Sequence, residues 1–206
     1  MSGDNKNLML AGLLLFALTA CGTTAPSRFY LLTTEHQGST GVNAALPKND
    51  TYLGIGPIKF PEYLNRSQII TRGPGAEVYI ADTHRWAEPL HENFLRVVSE
   101  NLSTLLHTQR IAIHPWRNWR DIDYQITIDV IRFDATTDGE ILLIAHWKIN
   151  GQEGKEQLLA EKSAIQVKSS SVEYADIVQA QSTAVGQLCR EIAEKLGQLP
   201  SQGSHK

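Results

Sequence analysis

The segment YQITIDVIRFDATTDGEILLIAHWKI (124–149) contains a strand, an irregularity, a turn and a second strand, in that order. Tyr124, Ile126, Ile128 and Val130 alternate with Gln125, Thr127 and Asp129, the period of two that half-buries a β-strand. After Val130 the alternation flips, and Ile131 and Phe133 become the apolar positions. One inserted residue has this effect on a ladder, which predicts a β-bulge. Asp138-Gly139 supplies a tight hairpin turn. Ile141 to Ile149 is apolar almost continuously, as expected of a central strand.

Working outward, 157–167 reads as a further strand. Residues 172–199 form an amphipathic helix through Ile177, Val178, Ala184, Val185, Leu188, Ile192 and Leu196, stopped by Pro200. Upstream, 110–114 is a short strand. Before it, 89–107 carries Leu90, Phe94, Val97, Val98, Asn101, Leu102, Leu105 and Leu106 as a helical stripe, with Pro89 suited to the first turn. The runs 67–71 and 77–81 flank Arg72-Gly-Pro-Gly75, a strong turn signal. Residues 51–60 and 28–34 are strand-like, and the polar stretch between them, 35–50, is a loop. Two helices against one mixed sheet of about five strands is the simplest packing.

The 206 residues hold 19 Lys and Arg against 22 Asp and Glu, with 42% hydrophobic residues. One core fits this length, and the 20% charged fraction is too low for a disordered chain. A net charge of −3 with no basic run leaves no basic excess to neutralise phosphates, so no nucleic-acid partner is expected. Two cysteines, Cys21 and Cys189, make neither a disulfide framework nor a zinc site. Cys189 sits on the last predicted helix beside Leu188 and is expected to be a buried structural thiol.

LMLAGLLLFAL (8–18) follows Lys6 and runs into Leu18-Thr19-Ala20-Cys21. As a helix this run spans about 16 Å, roughly half a bilayer core, so it cannot anchor the chain by spanning. Small residues ahead of a cysteine resemble the lipobox of bacterial lipoprotein precursors. That resemblance implies that 1–20 is a cleaved signal segment, that Cys21 is acylated, and, with Gly22 following it, that the destination is the periplasmic face of the outer membrane. Residues 21–27 are then a lipidated tether, 28–199 a single domain, and 200–206 a disordered tail. Fully extended, Cys21 to Arg28 reaches about 25 Å.

No chemistry stands out. Seven histidines include no HExxH or similar ligand spacing, and no metal or cofactor is expected. No nucleophile elbow or SxxK is present. Gly54-Ile-Gly56-Pro57 lacks the third glycine of a dinucleotide loop. Asp121, Asp123, Asp129 and Asp134 cluster around one strand, where a solvated sheet face is the expectation rather than an acid/base pair. Two segments ask for more. FPEYLNRS (60–67) puts Tyr63, Leu64 and Arg66 around a turn, and Trp86 stands just before a helix start. Staple and core packing account for them; aromatic-plus-arginine loops are also what protein interfaces use. Tyr63, Arg66 and Trp86 are the candidate partner-binding residues.

These segments carry a resemblance. GPIKFPEYLNRSQIITR (56–72) and WAEPL (86–90), supported by DYQITIDVIRFD (123–134), Trp147 and the alanine-rich last helix, are similar to the ABC-type transport auxiliary lipoproteins, over Phe29 to Leu196. The resemblance implies a three-layer α/β/α domain like the amino-terminal domain of TolB, with no catalytic residues. It further implies a role beside PqiB, an MCE-domain protein that crosses the periplasm, and PqiA, in moving lipids or other hydrophobic molecules between membranes. A ring of copies would suit such a role. The competing expectations are a monomeric lipid carrier with its own cavity and an envelope hydrolase.

Overall fold

The computed structural model describes residues 25–34, 46, 51–116, 122–151 and 154–199. The expected signal segment, Cys21 and the tail from Pro200 lie outside these residues. Among the described residues, eight strands and two long helices follow in order: β1 (Arg28–Tyr30), β2 (Leu53–Lys59), β3 (Gln68–Arg72), β4 (Val78–Trp86), α1 (Leu90–Leu105), β5 (Ile111–Ile113), β6 (Tyr124–Thr136), β7 (Glu140–Gly151), β8 (Glu156–Lys168) and α2 (Tyr174–Gly197). A 3-10 turn, Glu62–Leu64, lies between β2 and β3.

All eight strands join one mixed sheet, against an expectation of about five. The reason lies in β6. Its 13 residues pair with β7 along one edge. The other edge is long enough for two strands end to end: β2 lies parallel to the first half, Leu53 opposite Tyr124, and β3 to the end, Arg72 opposite Thr136. β5 then extends the β2 branch, and β4 and β1 extend the β3 branch. β7 is central to its half, with β8 on its far side.

The expected bulge is present: the β6–β7 register shifts between Val130 and Arg132. Ile131 is the extra residue, however, and is 46% exposed rather than turned into the core. A bulged residue drops out of the ladder, so the flip in alternation marks the site without making Ile131 apolar interior.

Three layers are not formed among the described residues. α1 and α2 pack against each other, α1 over β2 and β5 and α2 over β6 to β8, so both cover one face. Along β7, Ile141, Leu143, Ala145, Trp147 and Ile149 are buried beneath them, while His146 and Lys148 face solvent opposite. One hydrophobic core lies between the layers, with Phe94, Phe133, Tyr124 and Trp147 its largest buried side chains. The helical stripes read from periodicity are its helix side: Val97, Val98 and Leu102 on α1, and Val185, Leu188, Cys189 and Ile192 on α2, are at most 1% exposed.

Both helices also hold the amino-terminal segment. Asn93, fully buried on α1, accepts from the Leu32 amide at 2.6 Å and donates to the Leu32 carbonyl at 3.3 Å. Ser182 on α2 accepts from the Thr33 amide at 3.1 Å. These two side chains stand in for the partners a strand would supply.

Candidate functional site

The β3–β4 hairpin brings together the two segments that the sequence leaves least explained. Gln68 lies opposite Arg85, which sets the start of β3 beside the end of β4. The Trp86 amide donates to the Ser67 carbonyl at 2.7 Å, and Arg85 Nη1 donates to Ser67 Oγ at 3.0 Å. Ahead of this junction Pro61 opens the 3-10 turn, whose Leu64 and Asn65 amides donate to the Pro61 and Glu62 carbonyls at 3.0 Å. Behind it Pro89 starts α1, its carbonyl accepting from Glu92 and Asn93 at 3.0 and 3.1 Å.

Between the two segments is a cleft of about 500 Å³, within the range of ligand and peptide pockets. Ile58, Phe60, Leu64, Trp86, Pro89 and Leu90 make its apolar walls, and Glu62, Arg66, Glu88 and His91 its charged and titratable margin. Phe60 is fixed edge-on to Phe94, with ring centroids 5.1 Å apart and planes at 83°, and Phe94 is fixed in turn to Phe133 at 5.5 Å and 77°. The apolar wall is thus braced by the core. Ser67 supplies the lining's one hydroxyl, and its hydrogen bonds go to Arg85 and Gln68; Glu88 pairs with Arg96, and His91 with Glu92 at 3.2 Å. An apolar floor with a polar margin is the make-up common at protein recognition surfaces.

The three sequence-predicted partner residues separate here. Trp86 is 5% exposed; as the last residue of β4, opposite Tyr30 of β1, it is both core and cleft wall. It stands within the ladder rather than at the position before the helix cap where a staple residue sits. Arg66 lines the cleft as an exposed cation, its Nε donating to the Tyr63 carbonyl at 3.1 Å. Tyr63 turns away from the cleft and donates its hydroxyl to Asp134 at 2.9 Å.

Asp134 is where the sequence reading needs correction. It is fully buried, not on a solvated face. Its Oδ1 accepts from Arg132 Nε at 2.8 Å and Arg72 Nε at 3.3 Å, and its Oδ2 from Arg72 Nη2 and Tyr63, each at 2.9 Å. The Arg72 guanidinium also lies over the Tyr63 ring, 5.8 Å from its centroid. Burial, and next the negative charge of Asp134, push the Tyr63 phenol up to about 12. Asp129 stays on the exposed side of β6, so the two aspartates make no acid/base pair. Asp121 lies outside the described residues. No group of three or more His, Cys, Asp or Glu able to hold a metal occurs among the described residues.

A lipoprotein of envelope transport is the class that such a chain matches. The profile of the ABC-type transport auxiliary lipoprotein component matches residues 30–193, and the chain belongs to this family. It is similar to the intermembrane transport lipoprotein PqiC of Escherichia coli (strain K12), 22% identical over 161 residues that cover 78% of this chain and 83% of that protein. The protein of the same name from Shigella flexneri matches with the same figures. Two solved structures share the fold. One, of an uncharacterized protein, superposes with a TM-score of 0.65 at 21% identity over 83% of this chain and 99% of that one. The other, XCC0632 from Xanthomonas campestris, has a TM-score of 0.65 at 16% identity over 82% and 94%.

Proposed function

We propose that the chain is a non-enzymatic, outer-membrane-anchored subunit of an MCE-type intermembrane transport system of the Pqi kind. It is acylated at Cys21, faces the periplasm, and docks the end of a PqiB-like conduit whose inner-membrane component is PqiA-like. The observation that carries this reading is the meeting of 60–67 and 86–91 in one apolar cleft with an exposed arginine at its margin. The cleft's polar groups are engaged structurally, which suits gripping rather than turnover. The short tether adds a geometric reason: with about 25 Å of reach, the domain cannot carry cargo across the periplasm, so a partner has to come to it. Copies arranged as a ring around the conduit tip would give each subunit two different contact patches.

Arg66→Ala tests the docking. Arg66 is exposed and Trp86 is buried, so the arginine variant should keep the parent melting temperature and lose capture of the MCE partner from detergent-solubilised envelopes by about thirtyfold, the size of one interface hot spot of about 2 kcal/mol. Undiminished capture removes the cleft from the interface. The volume and apolar walls of the same cleft favour one second reading, a lipid carrier with its own groove. Native phospholipid co-purifying in stoichiometric amount with the intact lipoprotein, and lost in Leu64→Glu, would favour that reading over docking.

A further inference from the structure

β4 begins with three consecutive exposed apolar residues, Val78, Tyr79 and Ile80, at 44%, 47% and 46% of full exposure. Successive residues of a strand point to opposite faces, so at this point the strand is bare on both sides. Of its partner positions on β3, Ile70 and Thr71 are buried and Arg72, opposite Val78, is half-buried. The hairpin tip therefore presents an apolar ridge just past its turn, where Gly73 donates to the Glu77 carbonyl and Gly75 takes a φ of +65°.

Strand register places other features at this same end of the sheet. Arg72 lies opposite Thr136, which puts the tip beside the β6–β7 turn. Lys168, the last residue of β8, lies opposite Glu140 and leads into a loop whose Val172 is 58% exposed. β1 runs parallel to β4 with Arg28 opposite His84, so β1 begins at the level of His84, on the Val78 side of Trp86. The six strand residues from His84 to Val78 span about 20 Å. The chain from Arg28 to Cys21 reaches at most about 25 Å. The anchor residue and the apolar ridge can thus stand level at one end of the molecule.

We propose that this end of the sheet, with Val78, Tyr79, Ile80 and Val172, rests in the surface of the bilayer that holds the lipid anchor. The inference relies on acylation at Cys21. The contact is apolar rather than electrostatic. Asp138 is matched by Lys168 at 3.0 Å, and Glu77 accepts the Tyr79 hydroxyl at 2.8 Å. An aromatic ring with a polar tip between two aliphatic residues is the composition favoured at a membrane interface. One consequence concerns the cleft. Trp86 stands eight residues along β4 from Val78, about 26 Å, so seating the tip on lipid holds the cleft away from the membrane, where a periplasmic partner arrives.

The test uses the full-length lipoprotein, extracted from membranes and reconstituted into phosphatidylethanolamine/phosphatidylglycerol vesicles. A polarity-sensitive fluorophore is attached to Val78→Cys or, at the opposite end of the sheet, to Ile113→Cys, whose parent residue is equally exposed at 46%. Ile80→Cys serves as a second tip position if the first variant melts early. Cys189 is fully buried and the Cys21 thiol carries lipid, so label goes to the introduced thiol. Nitroxide-headgroup lipid is the quencher, and mass spectrometry of the same sample reads acylation. An acylated protein quenched severalfold more strongly at position 78 than at 113 is expected. Equal quenching at the two positions with the acyl mass present overturns the membrane face and leaves the anchor intact. Absence of the acyl mass overturns both.

Discussion

Replacing Asp134 with asparagine keeps the side chain's shape and removes its charge, which isolates what the carboxylate contributes. Four hydrogen bonds converge on its two oxygens, three from Arg72 and Arg132 and one from Tyr63. An amide would set an NH2 donor against donors on one side and leave two guanidinium groups without a counter-charge. Removing one partner of a fully buried ion pair costs about 3–5 kcal/mol. Here the arginine side chains are 26% and 24% exposed while the carboxylate is at 0%. Water can take up part of the arginine charge, so the loss is set at about 2–3 kcal/mol. For a domain of this size that corresponds to a melting temperature lower by about 5–10 °C. The urea midpoint should fall by about 1 M with an unchanged slope. The assay is urea unfolding followed by tryptophan fluorescence on the parent, Asp134→Asn, Arg72→Gln and the double variant. If the double variant falls by the sum of the single losses, the network carries no coupling energy and the argument fails.

Phe94→Ala removes the ring between Phe60 and Phe133 and should cost about 3–5 kcal/mol, read by chemical denaturation; a loss under about 1 kcal/mol would mean the cleft wall is not braced by the core. Asp138 accepts hydrogen bonds from Thr136 first and Lys168 next, which hold its carboxyl at about 2 against a usual 3.8. A folded-state value below the unfolded one gives stability that is present above about pH 4 and is lost as pH falls toward 2, so Asp138→Asn should flatten the acid limb of the stability profile over that window. Gly56 has a φ of +111°, and a Cβ there would lie 2.8 Å from the Cβ of His114, so Gly56→Ala should cost about 1–3 kcal/mol in urea unfolding. Cys21→Ala should give a longer, unacylated chain in the mass spectrum of the membrane extract; an acylated terminus in that variant would contradict the lipobox reading.

What the sequence determined by itself is the local part of the fold. Period-two alternation and helical stripes depend on which residues face one interior, and that pattern is written along a short run of chain. Hence both helices and most of the strands were legible near their observed limits, as were the Asp138-Gly139 turn, the buried Cys189 and the site of the bulge. β4 runs on to Trp86, past the expected end at Ala81, because β3 and β1 both pair with it there; the run itself carries no trace of those neighbours.

Only tertiary structure decided how the elements share edges. Whether β2 and β3 form separate sheets or dock in series on β6 depends on the length of β6 and on two crossings far apart in sequence. No window of the chain contains both. The same holds for the layers: two amphipathic helices suit one face or two equally well, and only their mutual packing assigns them to one. Asp134 is the sharpest case among single residues. Its strand position suggested a solvated face, but the bulge breaks the alternation so that Phe133, Asp134 and Ala135 are all buried. The arginine that makes burial tolerable, Arg72, comes from a strand 62 residues earlier. The candidate site divides in the same way. The unusual composition of 60–67 and 86–90 was visible in the chain, whereas their meeting in one cleft came from the β3–β4 hairpin register, a pairing that only the folded sheet specifies.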